Sequence, residues 1–172
     1  MLKLNKIIQI IAVFITLQTN SYAENFIVNS TIEVIESLNV LQQQSISFGR
    51  IFIPENKVTA SITKEGEVNN EVNTAEFENT NGISAGIYKI EGFDNQSITI
   101  SAQNGNSTPG MTFSELNAKY DDKESNILES PITSAKSSSQ GKDLILAASL
   151  EIDGNLPEGS FTPDFILEIS YE

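Results

Sequence analysis

The sequence is most informative in what it lacks: cysteine, histidine and tryptophan are absent from its 172 residues, and Arg50 is its one arginine. Without cysteine, disulfides, thiol chemistry and a lipid-modified cysteine after a leader are excluded. Without histidine, the commonest general base and transition-metal ligand are missing, which excludes zinc, haem and histidine-based triads. We therefore expect a fold held by packing and sheet hydrogen bonds, with no cofactor.

Positive charge is scarce as well. Lys and Arg total 10 against 23 Asp and Glu, which gives a formal net charge of −13. Proteins that bind nucleic acid or anionic lipid usually present clustered Lys and Arg side chains. Nucleic acid and anionic membranes are therefore not expected partners.

Residues 1–23 have the pattern of a secretory signal. Lys3 and Lys6 precede an apolar core from Ile7 to Leu17, and Ala23 ends a small-residue cleavage site. This core is shorter than the roughly 18 apolar residues that span a bilayer. We predict cleavage after Ala23, no membrane insertion beyond the signal, and export of a single domain, residues 24–172, to the periplasm, the cell surface or the extracellular space.

The rest of the chain consists mainly of short alternating runs. Phe26–Val34 and Lys57–Thr63 place apolar side chains at every second position, the period of a half-buried strand, while Lys142–Ile152 is apolar on both faces. A change of apolar parity at Gly49 predicts a β-bulge. Residues 67–82 are rich in Asn and Glu and predict a solvated loop or a short irregular strand.

Turn residues suggest how some of these runs connect. Asp94 and Asn95 tolerate the positive φ of a tight turn, so we predict that Ile83–Phe93 and Gln96–Ala102 pair as a hairpin. No stretch shows a capped helical pattern of several turns. The sequence therefore predicts an all-β protein, a single-domain antiparallel β-sandwich of immunoglobulin-like or pilin-like type.

The last alternating run, Phe161–Tyr171, carries the candidate site. It is predicted to pair with Lys142–Ile152 as a final hairpin, and an alternating strand at a chain end either closes its own sheet or is offered to another subunit. The sequence favours closure of its own domain, with partner contact as the alternative. The side chains that share its apolar face form the candidate partner-facing strand: Phe161, Phe165, Leu167, Ile169 and Tyr171.

Two groups of acidic residues are candidates for carboxylate-based glycoside hydrolysis or calcium binding. Their spacing matches no calcium-binding loop, and solvated loop charges are the favoured interpretation. We assign no catalytic, cofactor-binding or metal-binding residue. The two groups are Asp121, Asp122 and Glu124, and Asp153, Glu158 and Asp164.

Three segments, Ser45–Ile51, Ile90–Ile100 and Leu144–Tyr171, resemble a bacterial family of exported proteins, domain of unknown function 4402. The resemblance implies a signal peptide and one β-sandwich, similar in plan to fimbrial or spore-coat-type subunits. The family has no established activity, so the resemblance implies no catalytic residue. The chain departs from the family pattern at residues 159–163, where Phe161 stands for a tyrosine and Pro163 for a glycine. That change keeps the aromatic ring and removes a hydroxyl.

These observations favour a non-enzymatic secreted or cell-surface bacterial domain of structural or adhesive type. A fimbrial-like subunit is one protein of this kind. Its expected partners are other protein subunits or surface glycans. A small outer-membrane β-barrel and a secreted carbohydrate-binding module remain as alternatives. The barrel is disfavoured because tryptophan is absent and most runs are shorter than the 9–11 residues of a membrane strand.

Overall fold

The computed structural model describes residues 38–52, 54–105 and 108–172. The predicted signal at residues 1–23 and the predicted strand Phe26–Val34 lie outside these ranges. Within the described residues no helix is long and apolar enough to cross a bilayer. The described strands are β1 Asn39–Gln44, β2 Ser47–Ile51, β3 Val58–Ile62, β4 Phe77–Ser84, β5 Gly86–Glu91, β6 Ser97–Asn104, β7 Met111–Tyr120, β8 Lys123–Asn126, β9 Ile132–Lys136, β10 Lys142–Ile152 and β11 Phe165–Tyr171.

The strands form a large sheet in the order β1-β5-β10-β7-β8, a back sheet in the order β11-β6-β9, and a two-stranded ribbon of β2 and β4. Every strand pairing among the described residues is antiparallel. Buried side chains of β6 and β9 pack against those of β7 and β10 in one core cluster. The prediction of an antiparallel all-β sandwich is therefore confirmed.

β10 is the centre of the large sheet. One of its edges pairs with β7, while the other pairs with β5 through residues 142–146 and with β3 through residues 148–152. The strand is covered on both faces from Ala147 to Leu150, which explains why its residues are apolar on both faces. Even Ser149 is buried, and its hydroxyl lies 2.8 Å from the hydroxyl of Ser61. Ser61 is on the polar face of the run Lys57–Thr63, which alternation alone would place toward solvent.

The predicted final hairpin is wrong. Both edges of β10 are already occupied, so the chain crosses to the back sheet, where β11 pairs with β6 from Phe165↔Asn104 to Tyr171↔Ile98. Alternation specifies which face of a strand is buried and leaves its hydrogen-bonding partner open. The two runs do share the core, but they lie in different sheets.

The predicted hairpin between Ile83–Phe93 and Gln96–Ala102 is also wrong. β5 joins the large sheet and β6 the back sheet, and the connection between them bonds to the segment after β9 instead of closing on itself. The amides of Gly92 and Asn95 donate to the carbonyls of Ser138 and Ser137, each at 3.0 Å. Asn95 does have the expected positive φ, 61°, but it serves a crossing between sheets.

The ribbon bears out one of the two interpretations of residues 67–82, that of an irregular strand. Their second part belongs to β4, which pairs with β2. The bulge prediction is confirmed, because the β2–β4 register shifts between Phe48 and Arg50, and Gly49 has a φ of 65°. A β-carbon on Gly49 would lie 3.1 Å from the Asn81 carbonyl oxygen, so glycine suits this position both sterically and conformationally.

Candidate functional site

The hydrogen-bonding pattern of β11 leaves one of its edges open. The amide of Gly105 donates to the carbonyl of Asp164, and the amide of Glu172 donates to the carbonyl of Ser97, so the even-numbered residues of β11 bond to β6. In an antiparallel pair the intervening residues direct their backbone groups the other way. No described strand pairs with β11 on that side, to which the backbone groups of Leu167 and Ile169 point.

The candidate partner-facing residues divide between two places. Phe165, Leu167, Ile169 and Tyr171 are half-buried and pack against the core cluster. Phe161 precedes the strand and is 39% exposed. The side chains of β11 that share a face therefore point inward, and what the strand presents to its surroundings on this side is its backbone edge.

β2 provides a second open edge. It pairs with β4 on one side, and no described strand pairs with it on the other. Its side chains Phe48 and Ile51 pack against the same core cluster as β11. Asn155 donates to the carbonyl of Pro54 at 2.8 Å, which places the end of β2 beside the end of β10. β2 and β11 therefore run in opposite directions over one face of the large sheet.

A cleft of about 1030 Å³ lies between β2 and the start of β11. Its two walls are β2 and the segment 156–163, which leads into β11. Phe113 of β7 lies beneath it, 6.3 Å from the ring of Phe48 and 5.5 Å from the ring of Phe165. The two open edges thus meet the same buried ring from opposite sides, in a volume at the upper end of that found for ligand pockets.

The rim of the cleft combines exposed aromatic rings with the one arginine. Phe52 is 53% exposed and Phe161 39% exposed, both at the rim. Arg50 forms an ion pair with Glu78 at 3.2 Å, and its side chain is 78% exposed. The exposed rings favour contact with apolar side chains of a partner, while the positive charge of Arg50 is already balanced by Glu78.

The C-terminal end of β11 lies close to Leu38, the first residue that the structure describes. The hydroxyl of Tyr171 accepts a hydrogen bond from the amide of Phe93 at 2.7 Å. A β-carbon on Gly92 would lie 2.7 Å both from that hydroxyl oxygen and from Cδ2 of Leu38. Leu38 is therefore a close neighbour of Tyr171.

The side chain of Glu172 fastens this end of β11 to the back sheet. It accepts hydrogen bonds from the amide of Ser134 at 2.6 Å and from the hydroxyl of Thr99 at 2.9 Å. The amide of Ser134 is the main cause of a pKa for Glu172 below its usual value. The ionised form is therefore favoured in the folded state, and this contribution to stability is present above the unfolded-state pKa and lost as the pH falls through the folded-state pKa.

Glu172→Gln tests that contribution. The variant should be less stable than the parent chain at pH 7, and the difference should shrink as the pH falls through the folded-state pKa of Glu172. Urea unfolding at pH 7 and at a series of acidic pH values measures it. A loss of stability that stays the same over the whole series would show that the carboxylate charge has no part in holding the strand end.

The two acidic groups are not brought together as a catalytic or metal centre. Asp121 pairs with Lys142 at 2.7 Å, and Glu124 pairs with Lys64 at 2.8 Å. Among the described residues no three His, Cys, Asp or Glu side chains are grouped as a metal ion would require. A sugar site would use exposed aromatic rings. Tyr120 is fully buried, and burial raises its pKa to about 12, so its ring is not open to a sugar.

A comparison with family models assigns the fold to a known group of sequences. The model described as Domain of unknown function (DUF4402) matches residues 38–171. This chain belongs to that family. No curated protein and no solved structure matches it. The DUF4402 match starts at Leu38 and ends at Tyr171, so it covers β1 to β11 and leaves residues 1–37 outside the matched domain.

Sequence reasoning identified a feature of each wall of the cleft but not the cleft itself. The alternation of the last strand and the bulge at Gly49 were both predicted, and each lies at a wall. The cleft depends on β2 and β11 facing each other, although more than a hundred residues separate them in the chain.

Proposed function

We propose that this DUF4402 chain is an exported, non-enzymatic bacterial domain of structural or adhesive type, a fimbrial-like subunit whose role is to bind other protein subunits. The observation that carries the proposal is the pair of open strand edges, β2 and β11, on either side of a cleft with aromatic rings at its base and rim. An open edge offers a row of backbone donors and acceptors to an extended segment, and the pockets beside it select that segment's side chains.

The surface charge supports a protein partner. The exposed cations lie beside acids: Arg50 pairs with Glu78, and Lys57 pairs with Glu151. No basic patch of the kind that follows a nucleic acid backbone is formed by these residues. A partner segment held mainly by backbone hydrogen bonds and apolar contacts does not need such a patch.

Export is tested in cells that produce the full-length chain. The protein recovered outside the cytoplasm should begin at Glu24, as mass spectrometry of the intact protein would show. Brief protease treatment of whole cells then separates a surface location from a periplasmic one. Recovery of the full-length chain with its leader only in the cytoplasm would contradict the proposed function.

A second candidate function is carbohydrate binding. Phe52 and Phe161, exposed at the rim of the cleft, are aromatic surfaces on which a sugar ring could stack. A glycan array probed with the chain from Glu24 onward measures this directly. Binding that is lost in Phe161→Ala, with the unfolding midpoint unchanged, would favour it over subunit binding.

A further inference from the structure

We propose that the cleft and the open edge of β11 accept residues Phe26–Val34 of a second copy of this chain, which add as a strand between β2 and β11. This inference rests on the proposed function and names the partner of the same surface. It commits to one occupant, a segment of the chain that lies outside both the described residues and the DUF4402 match.

The gap has the form of a missing strand position. β2 and β11 cover the same face of the large sheet, and both reach the Phe113 ring without bonding to each other. A strand between them would join the ribbon and the back sheet into one layer, β4-β2, the added strand, and β11-β6-β9. It would supply partners for the outward backbone groups of Leu167 and Ile169 and for the free edge of β2.

The segment has the pattern that such a position requires. Phe26, Val28, Ile32 and Val34 fall on one face, interrupted only by Ser30, and Asn29, Thr31 and Glu33 fall on the other face together with Ile27. Nine extended residues span about 30 Å, more than the roughly 23 Å of the seven residues of β11. The apolar face can therefore cover the cleft and continue along β11, with the polar face toward solvent.

The geometry of the chain favours a second copy over the chain's own segment. Leu38 lies beside Tyr171, so a segment joined to it by a short connection would run up β11 from its C-terminal end and pair with it in parallel. Because β2 and β11 run in opposite directions, a strand between them is antiparallel to one and parallel to the other, and antiparallel pairs are somewhat more stable than parallel ones. A segment from another molecule can enter antiparallel to all seven residues of β11, the longer and more regular of the two edges.

Assembly of the purified chain from Glu24 onward tests the inference. We expect its mass in sedimentation velocity to grow with concentration. Ile32→Asp places a carboxylate on the apolar face of the segment and should weaken the assembly constant by at least about 100-fold. Thr31→Asp adds the same charge to the neighbouring, polar face and should change the constant by only a few fold. A monomer at every concentration, or equal effects of the two substitutions, would overturn the inference.

Crosslinking between introduced cysteines distinguishes a second copy from the chain's own segment. The chain has no cysteine of its own, so only the introduced ones react. Thr31→Cys, in the proposed strand, and Glu168→Cys, at an exposed position of β11, are made in separate chains, mixed and treated with a short bis-maleimide. A covalent dimer of the two variants is expected. If the doubly substituted chain instead crosslinks only within itself, its own segment fills the cleft and the inference is wrong. Export and processing at Ala23 are measured separately, so failure here leaves the proposed function standing.

Discussion

Leu167→Asp is expected to lower the free energy of unfolding by about 3 kcal/mol or more and to leave the domain largely unfolded at 37 °C. Leu167 is half-buried and packs against the core cluster from the middle of β11. Ionised, the new carboxylate would lose water without gaining a partner. Protonated, it would still replace apolar contact with a polar group. Urea unfolding followed by circular dichroism measures the loss.

Ile166→Asp is the matched control for that variant. Ile166 is the preceding residue of the same strand, and it is 50% exposed because it points away from the core. The same substitution there should cost no more than about 0.5–1 kcal/mol. Equal losses for the two variants would contradict the orientation of β11. A folded Leu167→Asp chain that only fails to assemble would mean that this face of the strand meets a partner instead of the core.

Leu146→Ala should have the next largest effect, a loss of about 2–5 kcal/mol in the free energy of unfolding. Leu146 is fully buried and lies in the middle of β10, where it pairs with Ala118 of β7 and with Gly86 of β5. Its small neighbours in the sheet leave little side-chain volume to collapse into the space. Most of the cavity should therefore persist.

Ile145→Ala removes a comparable volume from the adjacent position of β10. Ile145 is only half-buried, on the face of the large sheet opposite the core cluster. It should cost less than half as much as Leu146→Ala, because solvent already reaches its side chain. A larger loss for Ile145→Ala would place the main core on the other face of the sheet.

The sequence was sufficient for the faces of the strands and insufficient for their partners. Leu167 and Ile169 were assigned to the apolar face by alternation alone, and the structure has both packed against the core cluster. The pairing of β10 with β11 was wrong because residues close in the chain were assumed to be neighbours in a sheet. β10 is apolar on both faces, which is typical of a central strand with neighbours on both edges.

The candidate site was harder to predict for the same reason. Its backbone donors and acceptors are a property of β11 as an edge strand, and every residue type has them. Its walls face each other because of how the chain is distributed among the sheets. β1 and β3 both join the large sheet, with β3 beside residues 148–152 of β10, while β2 between them in sequence pairs with β4 instead. The bulge glycine, Gly49, was visible in the sequence, but the cleft that β2 borders depends on contacts between distant parts of the chain.

Amide hydrogen exchange along β11 tests the central claim most directly, the claim that its outer edge is open and receives a strand from a second copy. In the dissociated Ile32→Asp chain, the amides of Glu168 and Ser170, which face β6, should be protected, while those of Leu167 and Ile169 exchange rapidly. In the assembled parent chain all four should be protected. Protection of Leu167 and Ile169 in the dissociated chain, or rapid exchange of both after assembly, would contradict the account.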